Sequence, residues 1–274
     1  MILVTGATGN VGREVLRALV RAGAPARALL RTEGEDVAGV EQVTGDLNEP
    51  ASLEAALTGV RAVFLLPGYR DMPGLAAEMT RAGVEHVVLL SSLAAMATDT
   101  DNAVSEYMIR SETAVRESGL AWTFLRPSAF MSNTLRWTAQ LRAGDIVRDA
   151  FGDVPTASID PYDIAAVAVR ALLAPGHEGR IHLLSGPHPL LPADRVRVLG
   201  QVLGRDLRFE GLSDEDARAQ MSATMPAAYV EAFFGFYRDG TIDEATVRPG
   251  VHEITGRPPR TFAQWAAGQA DAFR

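Results

Sequence analysis

The sequence predicts an α/β fold, a doubly wound parallel sheet followed by a smaller, mainly helical C-terminal lobe. Three observations carry that prediction. Short apolar runs alternate with amphipathic helical patterns through the first half of the 274 residues. The first run, Ile2-Leu3-Val4, passes at once into Gly6, Gly9 and Gly12, and then into a helical pattern of Val11, Val15, Leu16, Leu19 and Val20. After Arg126-Pro127 the alternation loosens, and from about Leu191 the chain reads as helical with no strong strand.

Taken in order, strands are expected at 1–5, 26–30, 41–44, 62–66, 86–91 and 122–125. Helices are expected between them at 11–21, 51–57, 74–82 and 103–117. Pro50 suits a first helical turn, and Gly23, Gly59, Gly83 and Gly119 stand where helices should stop. Repeated alternation of this kind implies right-handed crossovers and a parallel sheet. Further on, 130–142 reads as a helix and 156–159 as an extended segment. A helix over 163–173 would be capped by Asp163, with Asp160 fixing the preceding turn, and 181–184 reads as a strand. Residues 1–127 are therefore expected to form a Rossmann-type core and 128–274 a substrate-side lobe. The strand near 181–184 would return to the core sheet. An aromatic cluster of Phe233, Phe234, Phe236 and Tyr237 falls in the lobe, with Trp265 near the end.

Composition narrows the function. A net charge of −8 argues against a nucleic-acid backbone as partner. No apolar run approaches the roughly 18 residues needed to span a bilayer. A core strand at the N-terminus leaves no room for a cleaved signal, so a cytoplasmic protein is expected. Cysteine is absent, which excludes disulfides, thiolate ligands and cysteine nucleophiles. The five histidines show no metal-ligand spacing, so no metal is expected. All 26 basic residues are arginine, so any chemistry that needs a lysine is closed to this chain.

Strand, glycine turn and helix in sequence build a site for a dinucleotide pyrophosphate. Glycines at 6, 9 and 12 let the backbone approach the phosphates, and the first-turn amides of the helix face the charge. An acid about 20 residues further on would bond a free ribose 2′-hydroxyl. Here Leu29-Leu30-Arg31-Thr32 offers no acid until Glu33, and the guanidinium of Arg31 suits a 2′-phosphate. That favours NADP(H) over NAD(H); the other reading of Arg31 is a solvated surface arginine. Asp46 and Leu47 would meet the adenine, or else Asp46 simply opens the loop before Pro50. Leu65, Leu66 and Pro67 would wall the middle of the cofactor.

The run Thr5-Gly-Ala-Thr-Gly-Asn-Val-Gly12, Arg31, Gly45-Asp46-Leu47, Leu89-Leu-Ser-Ser92 and Thr123-Phe-Leu-Arg-Pro127 resembles the NmrA-like branch of the atypical short-chain dehydrogenases/reductases. The similarity extends over roughly the first 185 residues, to Leu184-Ser-Gly-Pro187. That branch includes NADPH-dependent quinone reductases and NADP-sensing regulators. The resemblance implies cofactor contacts from Gly6, Thr8, Gly9, Asn10 and Val11 at the turn, and from Ser91 and Pro127 at later strand ends. It implies catalytic roles for Ser92, or Ser91, and for Tyr107. The usual Tyr-x-x-x-Lys pair is missing, because Ser111 stands four residues after Tyr107. Glu112 fits the branch pattern, and its other reading is an exposed helical glutamate. The acceptor pocket is expected from Ser128, Phe130, Met131, Asn133 and Trp137, with Phe130 and Trp137 sandwiching a flat substrate; equally, either aromatic reads as core.

The expected function is hydride transfer from NADPH to a small, planar, conjugated acceptor of the quinone kind, by a monomer or homodimer. The alternative is a non-catalytic NADP(H) sensor that regulates a partner protein.

Overall fold

The structure, a computed structural model, describes residues 1–32, 39–97 and 101–274, and Glu33 lies outside them. Strand β1 (Ile2–Val4) leads to helix α1 (Asn10–Arg21), β2 (Ala26–Leu30) and β3 (Glu41–Thr44). A 3-10 turn at Pro50–Leu53 and helix α2 (Glu54–Leu57) precede β4 (Ala62–Leu65), α3 (Met72–Arg81) and β5 (His86–Leu90). Helix α4 (Ala103–Glu117) and β6 (Ala121–Pro127) follow. Next come a 3-10 turn at Met131–Trp137, α5 (Thr138–Ala143), β7 (Ile146–Asp149), α6 (Pro161–Leu173) and β8 (Arg180–Leu184). The remainder holds α7 (Pro192–Leu203), β9 (Arg208–Gly211), α8 (Asp214–Ser222), α9 (Ala227–Tyr237), α10 (Gly250–Thr255) and α11 (Phe262–Gly268).

Seven of the strands form one parallel sheet in the order β3-β2-β1-β4-β5-β6-β8. The order reverses between β1 and β4, which opens the crevice where such sheets bind ligands, beyond the carboxyl ends of the strands. Strands in the middle are covered on both sides, hence their uninterrupted apolar runs. On one face Val11, Val15, Leu16 and Leu19 of α1 pack with Ile164, Ala165 and Ala168 of α6. On the other, Ala56, Leu75, Met79 and Val115 from α2, α3 and α4 close a second core layer. Each such Leu, Val or Met contributes about 1.5–3 kcal/mol by leaving water. Gly23, Gly59, Gly83 and Gly119 stand just after α1 to α4 with positive φ, as their stop positions require.

The structure corrects four sequence expectations. Val20 of α1 faces solvent, 45% exposed, rather than the core. The helix expected over 130–142 is a 3-10 turn followed by the short α5. Pro161 moves the start of α6 forward, so Asp160 is the cap, accepting from the Tyr162 amide. Asp163 is instead buried in the first turn, where it pairs with Arg257 and accepts from the Arg260 amide. Finally, two strands that the sequence did not announce, β7 and β9, pair in parallel as a separate two-stranded sheet, and β9 lies beyond Leu191, where no strong strand is expected. No helix among the described residues is long and apolar enough to cross a membrane.

Candidate active site

The glycine turn sits at the carboxyl end of β1, beside the point where the strand order reverses. Gly6 has φ +61 and its amide partner Gly9 donates back to its carbonyl at 2.9 Å. A Cβ on Gly12 would overlap the Gly6 carbonyl oxygen, so only glycine lets α1 lie this close to the turn. No side chain caps α1 and no acid stands in its first turn. Its leading amides are thus left for a ligand and carry the positive end of the helix dipole. This uncapped glycine cradle fits a dinucleotide pyrophosphate. Thr5 locks the cradle to β4, its hydroxyl accepting from the Leu66 amide at 3.0 Å. Arg13, which sequence reading overlooked, bonds the Thr8 carbonyl at 3.0 Å and sets a guanidinium beside the turn.

The other expected cofactor positions fall along the same edge. Arg31 is exposed just past β2, and Asp46 is exposed just past β3. Asp46 also opens its loop, since one carboxylate oxygen accepts from the Asn48 amide at 2.8 Å. Tyr69 shares their surroundings: burial raises its phenol, Arg31 opposes that shift and Asp46 adds to it. Leu47 and Leu65 are buried, while Leu66 and Pro67 are half-buried at the end of β4.

Helix α4 joins this edge to the lobe. Glu112, expected at the surface, is buried at 4% exposure. It accepts from the Ser91 hydroxyl at 2.6 Å and from Arg126 Nε and Nη2 at 2.8 and 2.6 Å. Ser92 caps the short turn after β5, accepting from the Ala94 amide at 3.1 Å. Tyr107 is half-buried against Gly68 and Tyr229. Burial raises its phenol above the usual tyrosine range, and Tyr229 adds to the shift. Ser111 donates its hydroxyl to the Tyr107 carbonyl at 2.7 Å and accepts from the Gly68 amide at 3.0 Å. It is a clamp between α4 and the loop after β4.

Directly after β6 lies a cavity of about 670 Å³. Ser132, Asn133, Arg136 and Trp137 of the 3-10 turn form one wall. Phe151 follows β7, Arg195 comes from α7, and Met221, Phe233 and Tyr237 come from α8 and α9. Asp149 organises the polar side: its carboxylate takes Arg136 at 2.6 Å, the Trp137 indole N–H at 2.5 Å and the Ala150 amide at 2.9 Å. Tyr237 donates to buried Glu244 at 2.8 Å. Burial and that carboxylate push the Tyr237 phenol well up, and burial raises the Glu244 carboxyl. Phe151 holds φ +55, a conformation that costs an aromatic residue of order 1–3 kcal/mol and turns the chain along the cavity wall. Of the side chains expected here, Asn133 and Trp137 line the cavity, although Trp137 is only 1% exposed. Phe130 packs against the main core and Met131 inside the lobe core, so the expected Phe130–Trp137 sandwich is not formed. Ser128 is likewise buried, its hydroxyl on the Ala157 carbonyl at 2.6 Å. Arg195, Asp149 and Glu244 carry no motif, and only the fold brings them together. Among the described residues no cluster of metal-ligating side chains forms.

Known proteins agree with this geometry. An NAD(P)H-binding family profile matches residues 6–175. A (4-alkanoyl-5-oxo-2,5-dihydrofuran-3-yl)methyl phosphate reductase from Streptomyces griseus is 45% identical, with 100% of this chain and 99% of the relative aligned. An NAD(P)H azoreductase from Xenophilus azovorans is 37% identical, over 100% of this chain and 99% of its own. The fold matches that of an NADPH-dependent quinone oxidoreductase from Escherichia coli, solved with NADPH, at a TM-score of 0.81 and 24% identity; 98% of this chain and 100% of that one superpose. The chain belongs to the NAD(P)H-binding family and is an NAD(P)H-dependent oxidoreductase.

Proposed function

We propose that this oxidoreductase uses NADPH and reduces a small, planar, conjugated acceptor held in the cavity beside α8 and α9. The observation that carries the reading is one of placement. The uncapped glycine cradle and the aromatic-walled cavity both follow the carboxyl ends of strands in one parallel sheet. The relatives' names support it, since a 5-oxo-2,5-dihydrofuran bearing an alkanoyl group and an azo compound are both conjugated acceptors.

In this reading Gly6, Thr8, Gly9, Asn10 and Val11 hold the pyrophosphate, and Arg31 pairs with the 2′-phosphate. Asp46 and Leu47 flank the adenine, and Leu65, Leu66 and Pro67 wall the middle of the cofactor. Ser91 and Pro127 border its far end. When bound, NADPH supplies the hydride, and the protein contributes orientation and a dry pocket. Tyr107 has no lysine to lower its pKa, in a chain without lysine, and burial keeps its phenol protonated. It serves as a donor at most, and water supplies the proton otherwise. Ser92 holds the local backbone. A conjugated acceptor tolerates this, being already electrophilic; a simple ketone does not. Asn133, Trp137 and Phe151 would line the acceptor.

NADPH consumption against a panel of quinones, enones, unsaturated lactones and azo compounds tests the proposal. Turnover with at least one, faster with NADPH than NADH, is expected. Tight binding of NADP+ and NADPH with no turnover on any of them would favour a sensor instead.

A further inference from the structure

We propose that Arg195 and Arg136 form a subsite for a phosphomonoester, so that the preferred acceptor is a phosphorylated conjugated compound rather than a neutral quinone. The reductase reading supplies only the idea that the ligand is an acceptor; the subsite itself rests on the side chains.

Arg195 lies in the first turn of α7 and is 6% exposed. Its Nε has no partner, and among the described residues its guanidinium makes no hydrogen bond or ion pair. It lines the cavity at 5.6 Å from the centre of the Trp137 ring. Buried arginines are normally paired, because an isolated charge away from water is costly. The acids nearby do not meet this need. Asp149 is already taken by Arg136, Trp137 and the Ala150 amide, and Glu244 by the Tyr237 hydroxyl. Both act on Arg195 only through space, as does Arg136 with the opposite sign. Burial pulls Arg195 down to about 10, which leaves it cationic at neutral pH.

A second unpartnered polar group belongs to the same wall. Ser132 lines the cavity, and its buried hydroxyl has no hydrogen-bond partner. Around these groups stand Trp137, Phe151 and Phe233, which suit a flat conjugated body. A neutral quinone would cover Arg195 and leave it unpaired. A phosphomonoester brings about two negative charges and several acceptor oxygens, enough for Arg195, Arg136 and Ser132 together. Arg136 keeps Asp149 as its anchor and presents a guanidinium already fixed in place.

The test compares an alkanoyl-substituted unsaturated lactone carrying a phosphomonoester with the alcohol left after phosphatase treatment. Wild type should favour the phosphorylated compound in kcat/KM by about 100-fold, the scale of one or two charge-assisted hydrogen bonds. Arg195→Met should reduce that preference to less than about tenfold, and Arg195→Lys should keep part of it. Because Arg195 has no hydrogen-bonded or ion-paired partner to orphan, Arg195→Met should melt no lower than wild type; a variant that fails to fold would mean a structural role and overturn the subsite. Equal use of both compounds by wild type, or an undiminished preference in Arg195→Met, would overturn the subsite and leave the reductase standing. Calorimetry on the NADP+-loaded protein separates the two proposals. Arg195-dependent binding of the phosphorylated compound without NADPH oxidation supports the subsite and contradicts the reductase. No binding of it contradicts the subsite.

Discussion

Glu112 on α4 receives both parallel guanidinium hydrogen bonds of Arg126 on β6, at 2.8 and 2.6 Å. With the Ser91 hydroxyl on the same carboxylate, the pair joins two strand ends to the helix that carries Tyr107. Removing one partner strands the other in a nearly dry position. Glu112→Ala should therefore cost about 3–5 kcal/mol of stability in urea unfolding, and Glu112→Gln clearly less. A loss below about 1 kcal/mol for Glu112→Ala would mean that water replaces the carboxylate without penalty.

Gly12 packs its backbone against the Gly6 carbonyl with no room for a methyl group. Gly12→Ala should push α1 away from the turn, costing about 1–3 kcal/mol and weakening NADPH binding more than tenfold. Denaturation and calorimetry read the two effects separately. Unchanged NADPH affinity would detach the cofactor from this turn.

Arg31→Ala should lower affinity for NADPH by about 10- to 150-fold, the range for a hydrogen bond to a charged group, and leave NADH nearly unchanged. Equal losses for both cofactors would show that Arg31 does not meet the 2′-phosphate.

His177 and His182 stand 3.1 Å apart, nitrogen to nitrogen. Burial, helped by His177, pulls His182 from 6.5 to about 4, and burial lowers His177 and His86 as well. The folded chain thus refuses protons that the unfolded chain accepts below about 6.5. Stability should be full above that pH and fall as the pH drops towards about 4. Asp160, Asp163 and Glu244, raised by burial, act in the opposite sense nearer the carboxylate range. Urea midpoints at pH 7 and about pH 5.5 isolate the histidines, and His182→Gln should flatten the difference. A wild-type midpoint that does not move would contradict this assignment.

The Rossmann core was legible because each of its elements announces itself locally. β2, β3 and α4 begin and end where periodicity and capping residues place them. The lobe was not. β7 and β9 are four-residue runs with two charged residues each, Ile-Val-Arg-Asp and Arg-Phe-Glu-Gly, and their pairing spans some sixty residues. Neither carries a local strand signal strong enough to stand alone. The glycine turn after β1 was legible because its motif carries its own chemistry. The cavity was not, since Arg195 and Asp149 are ordinary residues until the fold sets them around Trp137. Glu112 misled for a similar reason: its partner Arg126 lies on a strand, invisible to helical spacing.

The proposed reaction moves hydride from NADPH to a conjugated acceptor. Its most direct test uses NADPH doubly deuterated at nicotinamide C4, an unsaturated lactone as acceptor, and mass spectrometry of the product. One carbon-bound deuterium is expected in each reduced product, with one NADP+ formed alongside. Bound NADPH that stays unoxidised, or a reduced product without deuterium, would contradict it.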